Sequence, residues 1–325
     1  MSHRSQDLHV YLRSISEDER TSLSVLAKLI PAKSTVLDVG CGSGALGQYL
    51  SHHHTCTVDG VTLSEAEAAH ARPHYRRVEV ADLETANLAQ LFASQRYDAI
   101  VCADVLEHLR APENVLAACR ELLAPEGRLL LSIPNASYCG LLAELLQGEF
   151  RYRTEGLLDR THLRFFTRRS LARFLREHDW TLQSLDTITR ALPESEFRTP
   201  FDSLPPAVAR YLLVQQDALT YQFIGVARPA TISAGADSEP CPGDTPASLQ
   251  DAPPVQASFT AQLFVGQDGA YREDCKLVCA AAMGEARQTL RFVLPAFHAP
   301  HPSLRLDPAD RPGFLHLHAM ALQNA

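Results

Sequence analysis

An excess of positive charge is missing: 30 Lys and Arg stand against 38 Asp and Glu, for a formal net charge of -8. A protein that grips nucleic acid through its phosphates shows the reverse balance, so no nucleic-acid partner is expected. Long apolar runs are also missing. None approaches the roughly 20 residues of a membrane-spanning helix, so no membrane span is expected. The first ten residues, MSHRSQDLHV, are polar and lack the apolar stretch of a secretory signal, which points to a cytoplasmic protein. Cys-x-x-Cys does not occur. The eight cysteines are scattered, and Cys275 and Cys279 read as idle thiols, so neither a disulfide framework nor a zinc knuckle is expected. Metal spacing is absent elsewhere too. His52, His53 and His54 are consecutive and face different sides, and His316-x-His318 has no acid or cysteine motif beside it. No metal site is expected from spacing, and a divalent ion that holds acceptor hydroxyls near Asp159 stays open.

What is there is a chain of 325 residues with 46% hydrophobic side chains, enough for one large domain or two. From Ser34 to about Thr187, short β-branched runs alternate with helical patterns. Strands are expected at Thr35–Val39, Cys56–Thr62, Arg77–Ala81, Tyr97–Ala103 and Gly127–Pro134. Ser64 and Glu67 fit a capping box, in which each side chain caps the other's backbone N–H. Pro112 fits the first turn of a helix running to about Leu123, and Thr167 fits the cap of the next one. This alternation implies a parallel sheet with helices on both faces. After Trp180, WTLQSLDTI and LTYQFIGVA read as two strands that pair antiparallel at the sheet edge, with a short helix over 207–216 between them. Residues 229–256 have a linker's composition, rich in Pro, Gly, Ala, Ser and Asp. Beyond it, ASFTAQLFV, DCKLVCAAA, QTLRFVLP, SLRLD and GFLHLHAMAL read as strands of a small all-β, sandwich-like module over 257–325.

The stretch VLDVGCGSGALG, residues 36–47, carries the chemistry. Glycines between a strand and a helix let the backbone approach a ligand closely and free the helix N-terminal N–H groups. Gly42-x-Gly44-x-x-Gly47 fits a dinucleotide turn. That site also needs an acid at the end of the second strand for the ribose, and Thr62 stands there. Asp59 lies three residues earlier and points to the other face. Asp38, two residues before the first glycine, suits a cationic ligand end, an ammonium or sulfonium, better than a pyrophosphate.

This stretch resembles motif I of the class I S-adenosylmethionine-dependent methyltransferases. VADLE (80–84) resembles the segment whose acid faces the adenine, and YDAIVCADVLEHL together with GRLLLSIPN resembles the fourth and fifth strands. The resemblance spans roughly 34–228. It implies a Rossmann-like seven-stranded sheet in a domain over 1–228, with S-adenosyl-L-methionine as cofactor. Asp38, Gly40, Cys41, Gly42 and Gly44 would line the methionine end. Thr62 and Leu63 would face the ribose, Asp82 and Leu83 the adenine, and Ala103 and Asp104 would end the fourth strand beside the cofactor. Thr62 departs from the usual acid but resembles the variant in cyclopropane fatty-acid synthases.

The methyl on a sulfonium is already activated, so the acceptor must mainly be aligned and lose its proton. His108, four residues past Asp104, and His162, in GLLDRTHLRFFT, are the candidate bases, with Asp159 orienting the ring. Arg151, Tyr152, Arg153, Arg160 and Arg164 cluster nearby and suit a sugar or a phosphate-bearing carrier. DRTHLRFFT also resembles a tail of bacterial methyltransferases found among surface-polysaccharide genes. That implies O-methylation of a saccharide, with glycosyltransferases of the same pathway as partners. Glu107-His108-Leu109 resembles methyltransferases of quinone-like precursors, which keeps a small-molecule acceptor open. So does a non-catalytic scaffold of a glycan-assembly complex.

Overall fold

The computed structural model describes residues 15–16, 19–197, 204–230, 258–266, 276–282, 289–294, 303–307 and 321. The chain divides into two compact units, Met1–Phe201 with Gln215–Asp244, and Asp202–Val214 with Thr245–Ala325. The proposed linker, His316, His318 and the last expected strand fall almost wholly outside the described residues.

The first unit alternates as the pattern required. Its elements are α1 (Ser22–Lys28), β1 (Thr35–Val39), α2 (Ala45–His53), β2 (Thr57–Thr62), α3 (Glu65–Ala71), β3 (Arg77–Val80), α4 (Leu88–Leu91), β4 (Tyr97–Ala103), α5 (Pro112–Leu122), β5 (Leu123–Pro134), α6 (Cys139–Leu146), α7 (Arg168–Glu177), β6 (Trp180–Thr189) and β7 (Thr220–Pro229). The seven strands lie in the order β3-β2-β1-β4-β5-β7-β6. Strand β7 is antiparallel to both β5 and β6, and the other neighbours pair in parallel. The order reverses between β1 and β4. In such sheets the crevice beyond the carboxyl ends of those two strands receives ligands.

Both faces of the sheet are covered, which is why β1, β4 and β5 read as almost unbroken apolar runs. One face packs Leu37, Val39, Ile100, Leu129 and Leu131 with α5 and α7. The other packs Val36, Val58, Val101 and Leu130 with α1 and α2. Strand β5 starts four residues before the expected Gly127. A register shift between Tyr97 and Ala99 absorbs the extra residues. Gly127 is required there because a Cβ would sit 2.6 Å from the Tyr97 carbonyl oxygen. Thr167 caps α7, as expected, and its own N–H is capped in return by the Ser170 hydroxyl at 2.8 Å.

Asp59 is sunk in β2 and answers to structure. The Arg76 guanidinium grips both its oxygens at 2.9 and 2.5 Å, and the Tyr97 hydroxyl donates to it at 2.7 Å. Arg76→Ala would leave a buried carboxylate with only the phenol, at a cost of about 3 kcal/mol. Urea denaturation should read this loss, and adding Asp59→Asn should recover part of it. An Arg76→Ala protein as stable as the parent would show that the pair does not hold this edge.

The second unit contains α8 (Pro206–Leu213) and one antiparallel sheet, β10-β8-β9, built from β8 (Ser258–Gly266), β9 (Lys276–Ala282) and β10 (Ser303–Asp307). Residues 289–294, expected as part of a strand, form none. Their run TLRFVL is apolar only in part, and Val293 is 88% exposed, so no buried face rewards strand formation. Among the described residues this unit has one three-stranded sheet, in keeping with an all-β module.

Candidate active site

The crevice opens where β1 runs into the glycine turn. Gly40, Gly42 and Gly44 have φ of 76°, 52° and 91°, the left-handed region that glycine enters without strain. They serve different ends. A Cβ at Gly40 would sit 2.6 Å from Val105 Cγ2, and one at Gly44 would sit 2.7 Å from the Ala71 backbone. A Cβ at Gly42 would meet nothing within 4 Å, so this glycine keeps its bare backbone toward open space. Gly44 also caps α2, whose N-terminal N–H groups face the turn.

Asp38 lies under the turn and is 3% exposed. The Tyr75 hydroxyl donates to its Oδ2 at 2.6 Å, and the Gly47 N–H donates to that hydroxyl at 3.0 Å. Burial pushes the Asp38 carboxyl up to about 6, with the Tyr75 bond pulling the other way. A carboxylate desolvated to this extent favours a cation beside it. Cys41 is buried next to it, and its thiol is pushed up by burial and then by the Asp38 charge.

Thr62 ends β2, and its hydroxyl donates to Glu67 Oε2 at 2.5 Å. The capping box is therefore half made. Ser64 accepts from the Glu67 N–H at 3.5 Å, but the Glu67 carboxylate turns to Thr62 instead of back to Ser64. An acid does stand at this strand end, brought from α3. Leu63 beside it is 56% exposed for a large apolar side chain. Asp82 is exposed past β3 and accepts the Glu84 N–H at 2.9 Å, and Leu83 packs at the margin of the core.

Strand β4 ends at Ala103, and Asp104 follows with φ of 55°. The Ser132 hydroxyl and the Gln222 amide both donate to Asp104 Oδ1, at 2.6 and 2.9 Å. The expected helical face from Asp104 to His108 is not formed. The left-handed Asp104 breaks it, and only a 3-10 turn, Leu106–His108, follows.

That break brings His108 to His162. Their rings lie edge to face with centroids 4.7 Å apart. His162 is buried, and its Nδ1 lies 3.0 Å from the Leu157 carbonyl, so Nδ1 carries a proton. Thr161 gives its only hydroxyl proton to Asp159 Oδ1 at 2.7 Å, so its oxygen accepts from His108 Nδ1 at 3.0 Å. In the neutral tautomer these bonds select, each imidazole carries its lone pair on Nε2. Of the two candidate histidines, Asp159 acts on His108, through Thr161, and His162 is held by the Leu157 carbonyl. Burial and the neighbouring His162 hold His108 below its ordinary value.

Glu107 completes the group. It is 1% exposed, and among the described residues neither carboxylate oxygen has a hydrogen-bond partner. Burial and then the Asp104 charge push it well above the ordinary carboxylate range. Phe150, Tyr152, Leu163 and Phe165 stand exposed nearby, with Phe165 and Phe150 in ring contact and Phe165 against His162.

A seven-stranded sheet of this order, with an acid beneath a glycine turn at its switch point, defines a Rossmann-like methyltransferase. The chain matches the methyltransferase-domain family over residues 11–185, more than half its length, and belongs to that family. It is an S-adenosylmethionine-dependent methyltransferase. Among curated proteins, it is 28% identical over 187 residues to the ubiquinone biosynthesis O-methyltransferase of Alkalilimnicola ehrlichii, covering 54% of this chain and 72% of that one. The enzyme of the same name from Pseudomonas paraeruginosa is 32% identical over 137 residues, covering 41% and 55%. The chain thus spans between about half and three quarters of the length of these relatives. Among solved structures it is similar to the magnesium protoporphyrin IX methyltransferase of Synechocystis, with 18% identity, a TM-score of 0.43 and coverage of 65% and 82%. Among the described residues no helix is long and apolar enough to cross a membrane.

The residues fit the cofactor. The open face at Gly42 admits a ligand against bare backbone, and the buried Asp38 carboxylate suits a positive charge.

Of these residues, Tyr75 and Thr161 were missed in the sequence. Glu67 was read only as a cap, and Glu107 only as part of a motif. Glu67 was legible in principle, five residues beyond Thr62 on the following helix. Tyr75 carries no local signal, because its contacts to Asp38 and Gly47 exist only once α2 and β3 are packed.

Proposed function

We propose that the chain is an O-methyltransferase acting on a hydroxyl of a small aromatic acceptor. S-adenosylmethionine supplies an electrophilic methyl group carried on a sulfonium. Asp38 and the Gly40–Gly44 turn hold its methionine end, with Cys41 against them. Glu67 and Thr62 together take the ribose hydroxyls, and Leu63, Asp82 and Leu83 border the adenine. Ala103 and Asp104 close the floor. Val105 packs against Gly40, and His108 follows three residues beyond Val105.

The observation that carries the acceptor side is the pair of lone-pair Nε2 atoms on His108 and His162, where the hydroxyl is activated. The apolar rings of Phe150, Tyr152 and Phe165 flank them and suit an aromatic body. The saccharide reading asked the arginines to fork onto phosphate or sugar. Arg153 instead clamps Glu144 through two bonds at 2.9 and 2.8 Å, Arg151 pairs with Glu149, and Arg164 donates to the Arg110 carbonyl. The names of the curated relatives support the same choice.

Labelled S-adenosylmethionine incubated with a dihydroxybenzoate on one hand and an oligosaccharide on the other tests this. Transfer to the phenol is the expected result. Transfer to the saccharide alone would return the glycan reading, with glycosyltransferases as its natural partners. Glu67→Ala should weaken S-adenosylmethionine about tenfold by calorimetry, since hydrogen bonds to charged groups contribute about 1.5–3 kcal/mol. An unchanged affinity would remove Glu67 from the ribose site.

A further inference from the structure

We propose that Glu107, His108 and His162 form a site for one divalent first-row transition ion that receives the acceptor oxygen. Each residue offers one ligand atom, and these atoms lie within 4.8 Å of one another. The donor set is one carboxylate and two neutral imidazoles, the set that binds zinc or iron facially and leaves coordination positions open.

Three features separate this group from a chance cluster. First, Glu107 is almost wholly buried, and neither oxygen has a partner among the described residues. An orphaned buried carboxyl either keeps its proton or meets a cation, and a bound cation lets it ionise in place. Second, both imidazoles are turned for ligation. The Leu157 carbonyl fixes the Nδ1 proton of His162, and the Asp159–Thr161 chain fixes that of His108, so Nε2 is the ring atom each histidine turns toward a ligand. Metal-binding histidines are held in this way, with the second ring nitrogen donating to a carbonyl or to a group backed by a carboxylate. Third, the backbone locks the three together. The Leu163 and Arg164 N–H groups both donate to the Glu107 carbonyl, at 2.7 and 3.0 Å. The ligands therefore come from two segments tied to each other rather than from one mobile loop.

Nothing in the spacing of the sequence announced this, because the third ligand stands 54 positions beyond the second. The expectation of no metal site rested on spacing alone. The role of the ion rests on the methyl-transfer reading. An acceptor hydroxyl bound to it is acidified, its O–H bond breaks, and the proton passes to solvent while the oxygen stays ligated. The imidazoles then hold the ion rather than take the proton. Two adjacent hydroxyls, as on a catechol, match two open positions.

The site itself is tested without acceptor or cofactor. Untagged protein, stripped with chelator, is titrated with Co2+ and followed by its visible absorption, and with Zn2+ by calorimetry. One equivalent binding at micromolar affinity or tighter is expected. Glu107→Gln and His162→Ala should each weaken it at least tenfold, while His52→Ala, on an exposed histidine, should not. Glu107→Gln keeps the shape of the side chain and removes only the carboxylate ligand, so it reports on the site even if His162→Ala unfolds. Absence of stoichiometric binding, or equal binding by the Glu107→Gln protein, overturns the site. Binding without transfer to any phenol would leave the site standing and sink the acceptor reading instead. Transfer at full rate by chelated protein would remove the ion from the reaction.

Discussion

Asp38→Asn is expected to yield a protein that is harder to unfold at pH 8 and that binds S-adenosylmethionine at least tenfold more weakly. The two effects share one cause. Burial raises the Asp38 carboxyl to about 6, from an ordinary value of 3.8. The folded chain therefore binds this proton more tightly than the unfolded chain does. Its stability falls as pH rises through the window from about 4 to 6, and above that window the ionised carboxylate costs about 3 kcal/mol. Asparagine removes the charge and still accepts the Tyr75 hydroxyl. The gain in denaturation free energy should be largest above pH 6 and should vanish below pH 4. The cost appears on binding. A sulfonium-bearing ligand is attracted by the carboxylate and not by the amide, and a hydrogen bond to a charged group contributes about 1.5–3 kcal/mol. The parent protein should lose affinity in turn as pH falls below 6 and Asp38 takes its proton. Urea titrations at pH 5 and pH 8, with calorimetry at the same values, read both halves. If Asp38→Asn is less stable than the parent at pH 8, the burial argument is wrong. If its affinity is unchanged, the carboxylate does not face the cofactor.

The frame of the first unit was legible because its signals are local. Apolar runs bounded by turns located β1, β4 and β5, and Pro112 and Thr167 marked where α5 and α7 begin. The glycine turn was legible because an acid and three glycines at fixed spacing permit few backbones. The acceptor side was legible only as a set of residue types. His108 and His162 were singled out, yet their relation depends on the left-handed Asp104, which a helical extrapolation through Asp104–His108 passes over. Which histidine Asp159 serves stayed open because Thr161, an unremarkable hydroxyl in sequence, carries the link to His108. Thr62 looked like a lost acid until α3 supplied Glu67, a contact that competes with the capping bond the local pattern favoured.

Two glycines of the same motif should separate folding from binding. Gly47→Ala would place a Cβ 2.1 Å from Tyr75 Cε2, inside a ring that is only 8% exposed. The ring must move, and with it go the Gly47 N–H bond and the bond to Asp38. Overpacking of a core costs about 1–3 kcal/mol, and a buried phenol left without partners about as much again. The better helix propensity of alanine returns about 1 kcal/mol, so a net loss of about 3 kcal/mol is expected. Gly42→Ala meets no neighbour, and its left-handed φ of 52° costs about 1–2 kcal/mol for a residue with a Cβ. Its methyl group projects into the space that the cofactor needs, so the folded protein should lose most of its affinity. Thermal denaturation should therefore rank Gly47→Ala far below Gly42→Ala, while calorimetry on the folded Gly42→Ala protein should show at least a tenfold weaker complex. Combining Gly47→Ala with Tyr75→Leu should cost less than the sum of the two changes, because removing the ring relieves the clash. Strict additivity would mean that Tyr75 is not the obstacle. The coupling to Asp38 would then need another carrier.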